Sequence, residues 1–194
     1  MAVDTGFVRR MATQPDYPLL TADEFLEIDF GERKAELDNG VIRMMAGGTA
    51  RHARVQGNIL VALAKRLNGT ECTPYVADMA TRTHDLSVRY PDLTVFCGRD
   101  GPENDDRKAF DDPRVLFEVL SAGTSRTDLR VKLPEYKALP SVDTIVFVDI
   151  ATEYLRVVQR TGRDEWAEAG HEAPFDLPLP ALGIVLPHPE IFAR

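Results

Sequence analysis

Two stretches decide how this chain folds: Arg89-Tyr90-Pro91-Asp92-Leu93-Thr94-Val95-Phe96 and Leu116-Phe117-Glu118-Val119-Leu120-Ser121. Each is a short run of β-branched and aromatic residues bounded by turn formers, which marks a strand. The second is almost continuously apolar, as strands covered on both faces are. Yet each carries one acid, Asp92 at the start of the first and Glu118 in the middle of the second. A carboxylate in such surroundings is costly unless it is paired or bound to a cation. Two unit charges ~4 Å apart at an effective dielectric of about 20 repel by ~4 kcal/mol, so convergence of the two acids would demand a positive partner or a shared proton.

Between the two runs, residues 100–112 are acidic, apolar-poor and punctuated by Pro and Gly, which makes them a surface loop. After the second run, Ser125-Arg126-Thr127-Asp128 can cap a helix with Leu129, Leu133 and Tyr136 on one side and Lys132 beside them. Pro134 should bend that helix or mark its true start. Residues 144–150 form another buried strand, and 154–160 pair with a strand around Trp166. The Pro- and Leu-rich segment 174–192 is expected to wrap the domain as extended chain.

Upstream, Thr21-Ala22-Asp23-Glu24 is a capping box opening a short helix that buries Phe25, Leu26 and Ile28. Asp38-Asn39-Gly40 sits between two short apolar runs, and Asn-Gly is the strongest local hairpin signal. Gly47-Gly48-Thr49 then caps a helix over residues 50–67, with Ile59, Leu60, Leu63 and Leu67 as its stripe and Asn68-Gly69 as its stop. Strand-like material runs from 73 to 96, interrupted near His84 and Asp85. The expected architecture is an α/β (α+β) domain at 17–194, with helices packed on a mixed sheet and an extra N-terminal hairpin, preceded by a flexible tail at 1–16.

The 194 residues suffice for one domain with a substantial core, and 44% hydrophobic with 28% charged residues is ordinary for a globular protein. No apolar run approaches the roughly 18 to 20 residues of a membrane span, and residues 1–16 lack an apolar h-region, so no secretory signal is expected in them. Two cysteines, Cys72 and Cys97, are too few for a disulfide framework. Cys97 is expected to be a small buried residue, and the pair argues for a reducing, cytoplasmic compartment. A net charge of -8 argues against a non-specific grip on phosphate backbones. It does not exclude a nuclease, whose metal offsets its acids.

Taken in order, Glu36 before a hairpin, His52 opening a long helix, Pro91-Asp92, Glu118-Val119-Leu120-Ser121, Asp128, Lys132, Tyr136 and the late Leu182-Gly183-Ile184 form a pattern. It resembles the Uma2 family (domain of unknown function 820), within the PD-(D/E)XK superfamily of restriction-endonuclease-like folds. The resemblance covers residues 17–192. It implies a restriction-endonuclease-like core and a Mg²⁺-dependent endonuclease hydrolysing phosphodiester bonds of DNA, with Mn²⁺ as a substitute ion. Asp92 and Glu118 are then metal ligands and Glu36 a third carboxylate. Superfamily habit also implies a homodimer. The chemistry is sound on its own terms, because Mg²⁺ keeps several waters and needs only one or two carboxylates plus a phosphate.

One departure stands out. The superfamily lysine lies two residues after the glutamate, and here that position is Leu120. The resemblance points instead to Lys132 on the following helix, where it would stabilise developing negative charge or position water. The plainer reading is an Asp128–Lys132 pair on a solvated face, worth only ~0.2–0.5 kcal/mol. His52 would touch phosphate or orient a ligand, against the alternative of a satisfied core-edge histidine. Arg51, Arg54, Arg126 and Arg130 would form a basic rim for the substrate, the first two near a helix N-terminus, against the default of isolated surface arginines. Two other functions compete: a catalytically silent interaction module with the same fold, and a metal-dependent hydrolase of a small phosphoester.

Overall fold

The computed structural model describes residues 18–120 and 128–194. The expected tail at 1–16, and Ser125, Arg126 and Thr127 of the expected helix cap, lie outside the described residues.

Helix α1 (Ala22–Leu26) is held by the capping box: the Glu24 N–H donates to Thr21 Oγ1 at 3.2 Å and the Thr21 N–H donates to Glu24 Oε2 at 2.8 Å. It buries Ala22 and Phe25. Ile28, expected inside, is exposed because the helix ends two residues before it. Strands β1 (Ala35–Asp38) and β2 (Val41–Met44) form the hairpin, with Asn39 and Gly40 both at positive φ as the tight turn requires. Helix α2 (Ala50–Leu67) starts at Thr49, whose hydroxyl accepts the His52 N–H at 3.2 Å, and ends at Asn68.

The strand-like stretch becomes β3 (Cys72–Val76), β4 (Ala80–His84), β5 (Ser87–Arg89) and β6 (Leu93–Cys97). There follow β7 (Ala109–Phe110), β8 (Val115–Leu120), α3 (Leu133–Ala138), β9 (Thr144–Asp149), β10 (Tyr154–Arg160), β11 (Trp166–His171), β12 (Leu177–Leu179), β13 (Ile184–Leu186) and α4 (His188–Phe192). They make two mixed sheets and a separate two-stranded one rather than a single sheet. The larger has the order β11-β10-β9-β8-β6-β3, parallel only between β8 and β9. The smaller has the order β2-β1-β5-β4-β7, so the N-terminal hairpin is extended by strands from the middle of the chain. The division follows burial: Ala80 and Val88 join the cluster under α1 with Phe25 and Leu37, whereas Leu93 and Val95 join the one under α2.

Alternation along β8 serves two cores. Val115, Phe117 and Val119 pack with Val55, Ile59 and Leu63 of α2. Leu116, on the opposite face, packs with Leu133 and Tyr136 of α3. Pro134 sits in the first turn of α3, as a proline can. A π-helical turn, Asp128–Lys132, precedes it, so the expected helix is two pieces. The C-terminal segment is not simply extended: β12 and β13 pair as a hairpin, and Leu177, Leu179, Leu186 and Ile191 close the α2 core.

The cysteine expectation is corrected. Cys72 and Cys97 face each other across the β3–β6 register and form a disulfide. A count of two excluded a framework but not one cross-strand bond, and the premise for a reducing compartment falls with it. No helix among the described residues is long and apolar enough to cross a membrane.

Candidate active site

The antiparallel pairing of β6 with β8 ends at Leu93 opposite Phe117. One step further along the same register sets Asp92 against Glu118, at the end where the two strands part. There the Val119 N–H, instead of finding a strand partner, donates to Asp92 Oδ2 at 2.7 Å. Helix α2 holds the same residue from the other side. His52 Nε2 lies 3.3 Å from Asp92 Oδ2, and Gln56, one turn later, donates to the Asp92 carbonyl at 2.7 Å. The hydrogen bond to Asp92 raises the His52 pKa; burial opposes this, and the charges of Asp92 and Glu118 reinforce it. Gly48 matters to this arrangement, since a Cβ there would come within 2.9 Å of His52 Nδ1.

Glu118 is 4% exposed. Its Oε1 accepts the Tyr136 hydroxyl at 2.6 Å and the Lys132 ammonium at 3.1 Å. Burial and the neighbouring Glu118 charge push the Tyr136 phenol well above its usual range, so it is a proton donor here. Lys132 itself is only 6% exposed and lies 3.0 Å from Glu36 Oε1. The solvated face of the plainer reading is therefore not where this lysine lies: it is buried, against Glu36 and Glu118. Glu36, on β1, also accepts the Tyr90 N–H at 3.1 Å.

A cavity of about 720 Å³ opens between α2 and the ends of β6 and β8, and His52, Gln56, Asp92, Glu118 and Lys132 line it. Of the residues singled out by sequence, this brings together four: Asp92, Glu118, Lys132 and His52. Glu36 touches the set through Lys132 but does not line the cavity. Arg51 and Arg54 are exposed and do not line it either; Arg51 Nη2 lies 3.8 Å from Glu153 Oε1. Arg126 lies outside the described residues. Besides Lys132, Lys34 lines the wall, paired with Asp78 at 2.6 Å.

Sequence reading missed Gln56, Tyr136 as a donor, and a second charged layer. In that layer Arg89 of β5, 1% exposed, donates through Nε and Nη2 to the two oxygens of Glu135 at 2.8 and 2.6 Å. Its Nη2 also donates to Asp38 at 2.9 Å, and its Nη1 stands 3.6 Å from Glu36 Oε2. The available signal was Arg89 itself, an arginine inside a β-run, which burial would oblige to find carboxylates.

Among the described residues no group of three or more His, Cys, Asp or Glu side chains is arranged to hold a metal ion. Asp92 and Glu118 line one cavity, where Asp78 is taken by Lys34, and those two acids as a donor set fit a hard cation that keeps most of its waters.

A match to the Uma2 family, described as "Putative restriction endonuclease", spans residues 22–187. The chain belongs to the Uma2 family. Similar proteins include two from Synechocystis sp. (strain ATCC 27184 / PCC 6803 / Kazusa). "Uncharacterized protein sll1609" is 25% identical over 150 residues, covering 76% of this chain and 85% of the relative. "Uncharacterized protein slr1290" is 22% identical over 170 residues, covering 87% and 88%. Among solved structures, the crystal structure of "a putative nuclease belonging to DUF820" from Anabaena variabilis ATCC 29413 superposes with a TM-score of 0.72 at 17% identity. It covers 90% of this chain and 98% of that one. Family and fold indicate a restriction-endonuclease-like nuclease, and the mixed α/β architecture agrees with the expected class.

Proposed function

We propose that this Uma2 protein is a metal-dependent endonuclease that hydrolyses phosphodiester bonds of DNA. The observation that carries the reading is the meeting of Asp92, Glu118 and Lys132, from the bend before β6, from β8 and from the turn before α3, on one cavity wall. Asp92 and Glu118 would hold Mg²⁺, or Mn²⁺ in its place. When bound, the ion polarises a phosphate and lowers the pKa of a coordinated water.

The protein's own groups do the rest. Lys132 supplies fixed positive charge where the phosphate becomes more negative, or orients the attacking water. Tyr136 holds the Glu118 carboxylate, and His52 with Gln56 holds Asp92. Glu36 acts on Lys132 rather than as a third ligand. DNA as substrate rests on the family's description; the acidity of the chain argues for a grip confined to the site rather than spread over the surface.

Melting temperature with and without Mn²⁺, followed by cleavage of supercoiled plasmid, tests this directly. Mn²⁺ should raise the melting temperature of the native protein but not of Asp92→Ala or Glu118→Ala. Cleavage should be lost in both, and in Lys132→Ala. Cleavage undiminished in the Asp92 and Glu118 variants would assign the activity to a contaminant and end the proposal. A silent interaction module is the second reading. It is favoured by the pairing of both carboxylates within the protein, Asp92 with His52 and Glu118 with Lys132, and it requires no response to Mn²⁺.

A further inference from the structure

We propose that Arg89 and Glu135 are positioning residues that set the place of the Lys132 ammonium. The inference rests on the nuclease reading for its catalytic meaning, but its structural claim can be tested separately. In a strand-borne arrangement the backbone of β8 would fix a lysine at position 120 relative to Glu118. Here Leu120 occupies that position, and the amine comes from a different element. A flexible four-carbon side chain on the turn before α3 needs something else to fix it.

The buried charged layer supplies this. Glu135 follows Lys132 by three residues, so it lies about one turn further along the same helical segment. Arg89 grips both of its oxygens, which ties the start of α3 to β5. Fork-to-fork contact of this kind fixes orientation as well as distance. The same guanidinium reaches Asp38 and Glu36 on β1. Glu36 in turn takes Lys132 on its other oxygen, with the Tyr90 N–H fixing that carboxylate. The chain of contacts runs Glu135–Arg89–Glu36–Lys132–Glu118, so the smaller sheet determines where the amine stands against the larger one. Arg89 touches neither the cavity nor Glu118, and acts only through other residues.

Burial works against the Arg89 charge, yet Glu135, Asp38 and Glu36 together raise its pKa above the usual arginine value. It is therefore a permanent cation, suited to a fixed support rather than a proton carrier.

The test is the double substitution Arg89→Met with Glu135→Met. It removes both sides of the fork-to-fork contact but leaves Asp38 and Glu36 without the guanidinium, so the fold of the variant is checked first by circular dichroism and melting. A merely structural pair would leave kcat intact in this variant. Positioning predicts that kcat for plasmid cleavage falls about 100-fold, as for misplacement of a catalytic group by about 1 Å. KM should stay within about threefold, because ground-state binding is not touched. In parallel, acetylation of Lys132 by an amine-selective reagent is followed by mass spectrometry, with exposed Lys65 as internal reference. Lys132 should react slowly in the native protein and approach the Lys65 rate in the variant.

A folded double variant with native kcat and native Lys132 labelling overturns the proposal. If the native protein cleaves nothing, the nuclease reading fails, and the labelling comparison alone still decides whether the pair positions the amine. If the double variant does not fold, Arg89→Lys takes its place, keeping the charge but not the fork. An intermediate kcat loss with faster Lys132 labelling supports positioning; no change in either rejects it.

Discussion

Phe117 and Glu118 are neighbours on β8, both buried, and they belong to opposite kinds of interior. On the α2 side Phe117 joins a wholly apolar cluster. There stability scales with area removed from water and tolerates small changes of shape. On the α3 side Glu118 meets Tyr136 and Lys132, which leads to Glu36, Arg89, Asp38 and Glu135. On that side each group needs a particular partner, and losing one leaves the other unsatisfied. One strand thus joins an apolar core that holds the domain together to a second core whose Glu118 end is polar and fixes geometry. The polar face is where the chemistry is expected.

The two faces should separate in experiment. Glu118→Gln keeps the volume and an acceptor for Tyr136, so the fold should survive while plasmid cleavage falls by at least about 1,000-fold, as when a preorganised transition-state contact is lost. Retained cleavage would move the chemistry off this face. Phe117→Ala should do the reverse: about 3–5 kcal/mol lost in urea denaturation, with native cleavage per folded molecule. A variant that is stable but inactive would show that the apolar face also positions the site.

Tyr136→Phe removes one buried hydrogen bond and should cost about 1–2 kcal/mol of stability, with a smaller loss of cleavage than Glu118→Gln. A loss as large as that of Glu118→Gln would give Tyr136 a direct catalytic part.

The smallest effect concerns acid. Burial would raise the Asp38 pKa, but the hydrogen bond and charge of Arg89, with Asn39 and Arg43, hold it below the usual carboxylate value. A group depressed in the folded state contributes stability that is present above its unfolded pKa of about 3.9 and lost as pH falls through its folded value. Asp38→Asn should therefore flatten the acid limb of the stability–pH curve below pH ~4. An unchanged slope would show that Arg89 draws little from this partner.

Local chemistry made much of this visible in the sequence. The Asn39-Gly40 turn, the Thr21 and Thr49 caps and the apolar run of β8 each depend on residues close together along the chain, and each was found where expected. Pairing between distant segments was not visible. The split of residues 72–97 between two sheets, the disulfide and the route from Arg89 to Lys132 all depend on register, which periodicity does not fix. Lys132 shows the limit well. Spacing placed Asp128 near it on a helix face, but the π-helical turn and the Arg89–Glu135 tie bring it inside. Glu36 contacts the same amine as Glu118; which way a strand carboxylate points is decided by tertiary neighbours.

The most direct measurement is a crystal soaked in Mn²⁺ and examined for anomalous scattering. A single peak about 2.1 Å from one oxygen each of Asp92 and Glu118, with Lys132 still within reach of Glu118, is the predicted result. At saturating Mn²⁺, a peak elsewhere, or none with Asp92 still bound to His52, would contradict the account.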